Sequence, residues 1–193
     1  MDAKSRWRSA TLAVLLGVAV LAGSSAASAM TLQGITFPDT ATVGGKPVKL
    51  NGMGLRKAYI IAKVYVAGLY LATPTHDGDQ ATNADEPKRM LLQFLRDVDP
   101  KEMADAMRDG FAVTASPALQ PQVDQFAGYF TVPLKEGIQV QFDYVPGTGT
   151  TTTIGGAAKG TSPGPEFMRA LWGIWLGKKP PNEALKEGLL GES

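Results

Sequence analysis

The feature that most constrains this chain is the apolar stretch at residues 51–71, NGMGLRKAYIIAKVYVAGLYL. It opens with closely spaced glycines, which we interpret as a turn carrying Arg56. From Ala58 onward the odd-numbered and the even-numbered residues are both mostly apolar, so we predict a strand that is covered on both faces. Isoleucine, valine and tyrosine favour strands, and Gly68 counts against a helix. A strand of this length would cross a small domain, and the other elements must pack around it.

Four polar side chains interrupt this stretch and are candidate functional residues: Arg56, Lys63, Tyr65 and Tyr70. A charged group on an apolar element lies at its end or faces a group that compensates the charge, because an unpaired buried charge is costly. We therefore predict that these side chains bind a ligand, with Arg56 as the principal residue.

The N-terminus has the three parts of a secretory signal peptide. Basic residues are followed by an apolar run at 10–22 and by small residues at 27–29. We predict a signal peptide at residues 1–29 with cleavage after Ala29, and one domain at residues 30–193. A transmembrane anchor is the alternative, but the apolar run is short for a hydrocarbon core of ~30 Å. The expected location is the periplasm or the exterior, without stable membrane insertion after cleavage.

Charge and cysteine content exclude several classes of function. Cleavage of the signal peptide removes Lys4, Arg6, Arg8 and Asp2. The formal net charge then changes from +1 to −1. The chain has no block of like charges, so no nucleic-acid partner is expected. It contains no cysteine, which excludes disulfides, thiolate metal sites and cysteine nucleophiles. The oligomeric state is left open.

Periodicity and turn residues divide the mature chain into strands, two helices, strands and two helices. Strands are predicted at residues 31–37, 47–50, 58–71, 88–98, 137–144, 150–154 and 157–160. The pair Gly44-Gly45 is predicted to form a hairpin turn, and residues 76–85 an exposed loop. Helices are predicted to begin near Asp99, Ser116, Ser162 and Pro180. Antiparallel hairpins joined by helix pairs indicate an α+β domain with its helices on one side of the sheet.

The usual catalytic signatures are absent from the sequence. The single histidine, His76, lies in the polar segment, and one histidine does not make a metal site or a catalytic triad. Gly52 and Gly54 lack the lysine and the further glycine of a phosphate loop. Trp172 and Trp175 are predicted core residues that a pocket between sheet and helices could also use. We expect no metal and no cofactor.

Arg56 and Tyr65 suit a ligand with an anionic or carbonyl head and a hydrophobic body. A guanidinium stays charged and matches a carboxylate with its planar fork, and a tyrosine hydroxyl adds a directional donor. The alternative is that Arg56 forms a surface ion pair with Asp97 or Asp143, and such a pair contributes under ~1 kcal/mol.

Five segments carry a family resemblance: NGMGLR at 51–56, KVYVAGLYL at 63–71, FLRDV at 94–98, DYVPGTGT at 143–150 and residues 176–186. In this order they resemble the chalcone isomerase superfamily, specifically its exported bacterial chalcone-isomerase-like branch. The resemblance implies an open-faced β-sandwich, a large antiparallel sheet covered by a layer of helices.

The resemblance implies two roles for Arg56. In the plant enzymes an arginine after the glycine turn stabilises a phenolate during ring closure, and Arg56 matches it. Tyr65 stands where those enzymes have a threonine, and their later tyrosine, asparagine and threonine have no match here. Fatty-acid-binding members use an arginine and a tyrosine on the carboxylate, which Arg56 and Tyr65 resemble more closely.

Three functions follow as expectations. The first is a non-catalytic binding protein for a small amphipathic anion such as a fatty acid. The second is an isomerase of the intramolecular lyase type, with Arg56 stabilising an oxyanion. The third is a structural or partner-binding exported domain that has no pocket.

Overall fold

The structure, a computed structural model, describes residues 29–58 and 61–192. The predicted signal peptide lies outside the described residues except for Ala29, and so do Tyr59 and Ile60 of the predicted long strand. The signal peptide and its cleavage site therefore remain predictions.

Seven antiparallel strands form the main sheet, and they neighbour one another in chain order. They are β3 Thr40–Val43, β4 Lys46–Ala58, β5 Ala62–Leu71, β6 Lys88–Phe94, β7 Gln139–Val145, β8 Gly149–Ile154 and β9 Ala157–Ser162. A separate hairpin is formed by β1 Ala29–Leu32 and β2 Ile35–Pro38. Each connection within the sheet joins adjacent strands, so the sheet is one continuous meander.

Five α-helices complete the part of the chain that the structure describes: α1 Gly78–Asn83, α2 Pro100–Thr114, α3 Gln120–Ala127, α4 Pro165–Leu176 and α5 Glu183–Leu189. A 3₁₀ turn at Pro117–Leu119 precedes α3. Within these described ranges no helix is long and apolar enough to cross a membrane. The predicted α+β fold, a large antiparallel sheet with a helical layer, is confirmed.

Strand β5 is buried on both faces, as its two apolar registers predict. On one face Tyr65, Ala67 and Leu69 belong to the main core beneath the helices. On the other face Val66 and Tyr70 belong to a second apolar cluster that includes residues of the β1–β2 hairpin. Because successive side chains of a strand point to opposite faces, one strand connects both cores.

Helix α4 is buried almost all round. Phe167, Leu171, Trp172 and Trp175 have no measurable exposure, so the two tryptophans are core residues, as predicted. Gly177 follows the helix and its N–H donates to the carbonyl of Gly173 at 2.9 Å. A central apolar helix of this kind holds the other helices against the sheet.

The glycine-rich segment before Arg56 is a strand, so the predicted turn is wrong. Residues 51–56 lie within β4, which pairs with β5 almost throughout. The two glycines instead allow α5 to approach the strand closely. A Cβ at Gly52 would lie 2.2 Å from the Gly188 carbonyl oxygen, and one at Gly54 would lie 2.3 Å from the Leu185 carbonyl oxygen.

Two further local predictions are wrong. Residues 31–37 form two strands rather than one, because Gln33 and Gly34 have positive φ angles of 53° and 79° and turn the chain between them. The predicted exposed loop at 76–85 contains α1. The Asp77 carboxylate accepts hydrogen bonds from the backbone N–H groups of Asp79 and Gln80 and so begins this helix without any apolar periodicity.

Other local predictions are confirmed. Gly44 and Gly45 connect β3 to β4 as a two-residue turn with positive φ angles. Val140, Phe142 and Tyr144 alternate inward along β7. Asp99 begins α2, and its carboxylate accepts a hydrogen bond from Lys101 N–H at 2.8 Å.

Candidate functional site

A cleft of about 320 Å³ lies between the sheet and α2, at the end of the sheet where β4 leads into β5. Its walls are largely apolar and come from β5, β6, α2 and α4. The apolar lining includes Val64, Phe94, Val98, Met103, Met107 and Ile174. A volume of this size is at the lower end of the ~300–1,000 Å³ that is typical of small-molecule sites.

Arg56 and Tyr65 both line this cleft. They are directly opposite each other in the β4–β5 ladder, and directly opposed residues of an antiparallel pair project from the same face. Next along the sheet, Phe94 is opposite Tyr65, and the two rings are 5.5 Å apart. The register therefore aligns a cation, a hydroxyl and an apolar ring across three neighbouring strands.

The hydroxyl of Tyr65 is held by the indole of Trp175. The indole N–H donates to the hydroxyl oxygen at 2.9 Å, and both residues are buried. Burial raises the pKa of Tyr65, against smaller lowering effects of the Trp175 hydrogen bond and the Arg56 charge. The phenol therefore stays neutral at physiological pH. Among the described residues no acceptor takes its O–H.

Arg56 is half-buried and has no carboxylate partner among the residues that the structure describes. Its Nη1 donates to the Lys57 carbonyl oxygen. The alternative prediction, an ion pair of Arg56 with Asp97 or Asp143, is wrong. Asp143 binds Arg89 at 2.6 Å, and Asp97 binds Lys135 at 2.7 Å. Most of the guanidinium donors are thus free of protein partners within the described chain.

Lys63 and Tyr70 do not line the cleft. The Lys63 ammonium donates to the Gln33 amide oxygen at 2.6 Å on the exterior. Tyr70 is five residues from Tyr65 and therefore points to the opposite face, where its hydroxyl donates to the Pro38 carbonyl oxygen at 3.0 Å. Of the four candidates, the structure brings only Arg56 and Tyr65 together at this cleft.

The rim of the cleft carries mixed charge. Glu102, Asp109 and Lys179 all lie on it and are exposed. Glu102 is paired with Arg96 at 2.9 Å, which offsets much of its charge. The lining thus carries two cations, Arg56 and Lys179, against the carboxylate of Asp109.

Sequence reasoning missed one part of this site and indicated another only in part. The contact between Trp175 and Tyr65 spans 110 positions in sequence, and no local pattern indicates it. The α2 wall was partly visible, because Met103 and Met107 are spaced to share one helical face.

His76 lies elsewhere, with Nδ1 2.5 Å from the Leu190 carbonyl oxygen. No cluster of metal-ligating side chains occurs in residues 29–58 and 61–192.

Together the sheet, the helical layer and the cleft define a small α+β domain with a largely apolar cleft that Arg56 and Tyr65 line. The chain belongs to the chalcone isomerase-like family, whose profile matches residues 29–191. Its fold is similar to that of the fatty-acid binding protein AtFAP1 of Arabidopsis thaliana, with a TM-score of 0.68 at 16% identity. The match covers 84% of this chain and 96% of that protein. No curated protein sequence matches this chain.

Proposed function

We propose that this protein binds a small amphipathic anion, a fatty acid, in the cleft between the sheet and α2, and that it does so without catalysis. The observation that carries the proposal is a guanidinium that has no carboxylate partner among residues 29–58 and 61–192 and lies directly opposite a buried hydroxyl, on the wall of an apolar cleft. The similarity of fold to a fatty-acid binding protein supports the proposal.

Arg56 and Tyr65 each contact part of the ligand's head group. Arg56 offers parallel N–H donors that suit both oxygens of a carboxylate, and each hydrogen bond to a charged group contributes ~1.5–3 kcal/mol. Tyr65, fixed by Trp175, donates its free proton without paying further ordering entropy. The apolar walls take the acyl chain, with each buried methylene adding ~0.8 kcal/mol.

The cellular location is part of the proposal. The basic, apolar and small-residue segments of residues 1–29 support export through a cleavable signal peptide. The protein would then meet its ligand in the periplasm or outside the cell. N-terminal sequencing of the protein from the exported fraction tests this, and a chain that still begins at Met1 would contradict it.

Titration calorimetry with a fatty acid and with the alcohol of the same length tests the binding site. We expect Arg56→Gln to weaken fatty-acid binding at least tenfold, because a charge-assisted contact is lost, and to leave the alcohol nearly unaffected. Arg108→Gln is the matched control, since Arg108 lies on the exposed face of α2 and pairs with Asp105. Equal affinity of wild type and Arg56→Gln for the acid would refute the assignment.

The isomerase alternative is tested with the same protein. A hydroxychalcone is expected to cyclise at the rate seen in buffer, because the arginine alone among the family's catalytic residues has a match here. A faster rate that Arg56→Gln abolishes would favour catalysis over binding.

A further inference from the structure

The cleft runs across the sheet from Arg56 and stops just beyond β6. Arg56, Tyr65 and Phe94 line it from β4, β5 and β6, each opposite the next in the ladder. Val98, four residues after Phe94, lines it where the chain has left β6. Among the described residues none from β7, β8 or β9 lines the cleft. The ligand site is therefore limited to the width of three strands.

Two short segments close the cleft beyond β6. The N–H groups of Val98 and Leu134 each donate to the other's carbonyl oxygen, at 2.9 and 3.0 Å, and both side chains are buried. Beside them the Asp97 carboxylate accepts hydrogen bonds from the Lys135 ammonium at 2.7 Å and from the Glu136 N–H at 2.9 Å. We call Val98 with Leu134 the end wall, because these bonds hold the connection to β7 against the end of the cleft.

An ion pair and a helix contact border the other sides of the cleft. Glu102, which lines the rim, binds Arg96 at 2.9 Å. Gly110 lets α2 approach α4 closely, since a Cβ at this position would lie 2.9 Å from the Ile174 side chain. An apolar tail longer than the cleft would meet charged groups or solvent, where further methylenes gain no burial.

Volume and width give a similar capacity for the cleft. At roughly 30 Å³ for each heavy atom, the share of one water molecule in the liquid, about 320 Å³ holds about ten heavy atoms. Arg56 and Phe94 are two strand spacings apart, which is about 10 Å. An extended chain advances at most ~1.2 Å per bond, because three backbone bonds span at most ~3.6 Å, so about eight bonds cover this distance.

We propose that the ligand is a medium-chain fatty acid, octanoate to decanoate, and that the end wall sets this length. The carboxylate lies on Arg56 and the methyl end of the chain lies against Val98. This inference rests on the proposed function and adds a limit of chain length to it. A longer acid binds no more tightly, because its further methylenes find no apolar wall.

Titration calorimetry with saturated acids from hexanoate to palmitate, each below its micelle concentration, tests the limit. The affinity of the wild type is expected to rise about fourfold for each methylene up to decanoate and to stay level from there to palmitate. A rise of about fourfold per methylene that continues to palmitate would overturn the limit and leave the proposed function intact. Absence of binding at every length would overturn both.

Two substitutions of Val98 are expected to move the limit in opposite directions. Val98→Ala removes two carbons from the end wall and keeps its backbone hydrogen bonds, so dodecanoate should bind at least about fourfold more tightly than to the wild type. Octanoate should bind both proteins equally. Val98→Leu adds one carbon, so decanoate should bind about fourfold more weakly than to the wild type.

Val140→Ala is the matched control for these variants. Val140 is a buried valine of β7 that does not line the cleft, so this variant should show the length profile of the wild type. An unchanged profile in both Val98 variants would refute the role of the end wall. The same shift in Val140→Ala as in Val98→Ala would also refute it, because the shift would then come from a loosened core.

Discussion

Raising the pH from about 8 to 10 is expected to stabilise the folded protein through one buried lysine. Lys88 is 1% exposed, and its ammonium donates to the Ala81 carbonyl at 2.7 Å and to the Thr82 carbonyl at 3.4 Å, near the end of α1. It also lies 5.9 Å from the centre of the Trp172 ring. Burial lowers the pKa of Lys88 from 10.5 to about 8, and the charges of Glu86 and Asp85 oppose that effect.

The sign follows from proton binding. Between pH 8 and 10.5 the unfolded chain binds a proton at Lys88 that the folded chain has released, so stability rises with pH. At ~1.4 kcal/mol for each tenfold change in proton affinity, the full effect is roughly 3 kcal/mol. Roughly 2 kcal/mol of it should appear between pH 8 and 10.

Urea unfolding of wild type and Lys88→Met at several pH values measures this effect. Methionine fills similar space and does not titrate, so the difference between the two pH profiles isolates Lys88. The variant is expected to lose the upward slope while other titrating groups contribute equally to both proteins. The same slope in both proteins would refute the reasoning.

The pH range of the assay ends at 10 because of two tyrosines. Burial raises the pKa of Tyr70 and of Tyr144 to about 12 in the folded protein. Above pH 10 these tyrosines, whose ordinary pKa is 10.0, ionise in the unfolded chain first, so the stability of the folded protein falls.

Substitutions at three positions test other parts of the structure by thermal or urea unfolding. Gly54→Ala should destabilise by ~1–3 kcal/mol, because its Cβ would meet the Leu185 carbonyl at 2.3 Å; an unchanged midpoint would contradict the close approach of α5. Tyr65→Phe should cost ~1–3 kcal/mol by leaving the buried Trp175 indole unpaired, and should also weaken fatty-acid binding. Asp99→Ala should cost ~1 kcal/mol through loss of the cap, and Asp99→Asn should restore most of it.

Much of the fold could be predicted from the sequence, because its signals are local. The two apolar registers of β5, the alternation of β7 and the Asp99 cap each depend on residues within a few positions of one another. The predictions that failed needed other information. Residues 51–56 contain glycines that suit a turn, and only the approach of α5 shows why a strand has glycine there. Helix α1 carries no apolar stripe, so no periodic pattern in the sequence predicts it.

The candidate site, too, could be predicted only in part from the sequence. The residue types of Arg56 and Tyr65 indicate an anionic head group, and a separation of five residues along one strand already implies that Tyr65 and Tyr70 point to opposite faces. Which face meets the helices was not readable, because both faces are apolar. The helical layer covers the Tyr65 face and the β1–β2 hairpin packs on the Tyr70 face.

The sequence by itself determined the class of domain, the order of its elements apart from α1 and the β1–β2 hairpin, and the chemical character of the polar residues on its central strand. Tertiary structure alone decided that Arg56 is opposite Tyr65, that Trp175 orients the hydroxyl, and that Asp97 and Asp143 pair with other cations. The physical reason is that strand register and helix packing depend on contacts between residues far apart in the chain, and local patterns do not encode those distances.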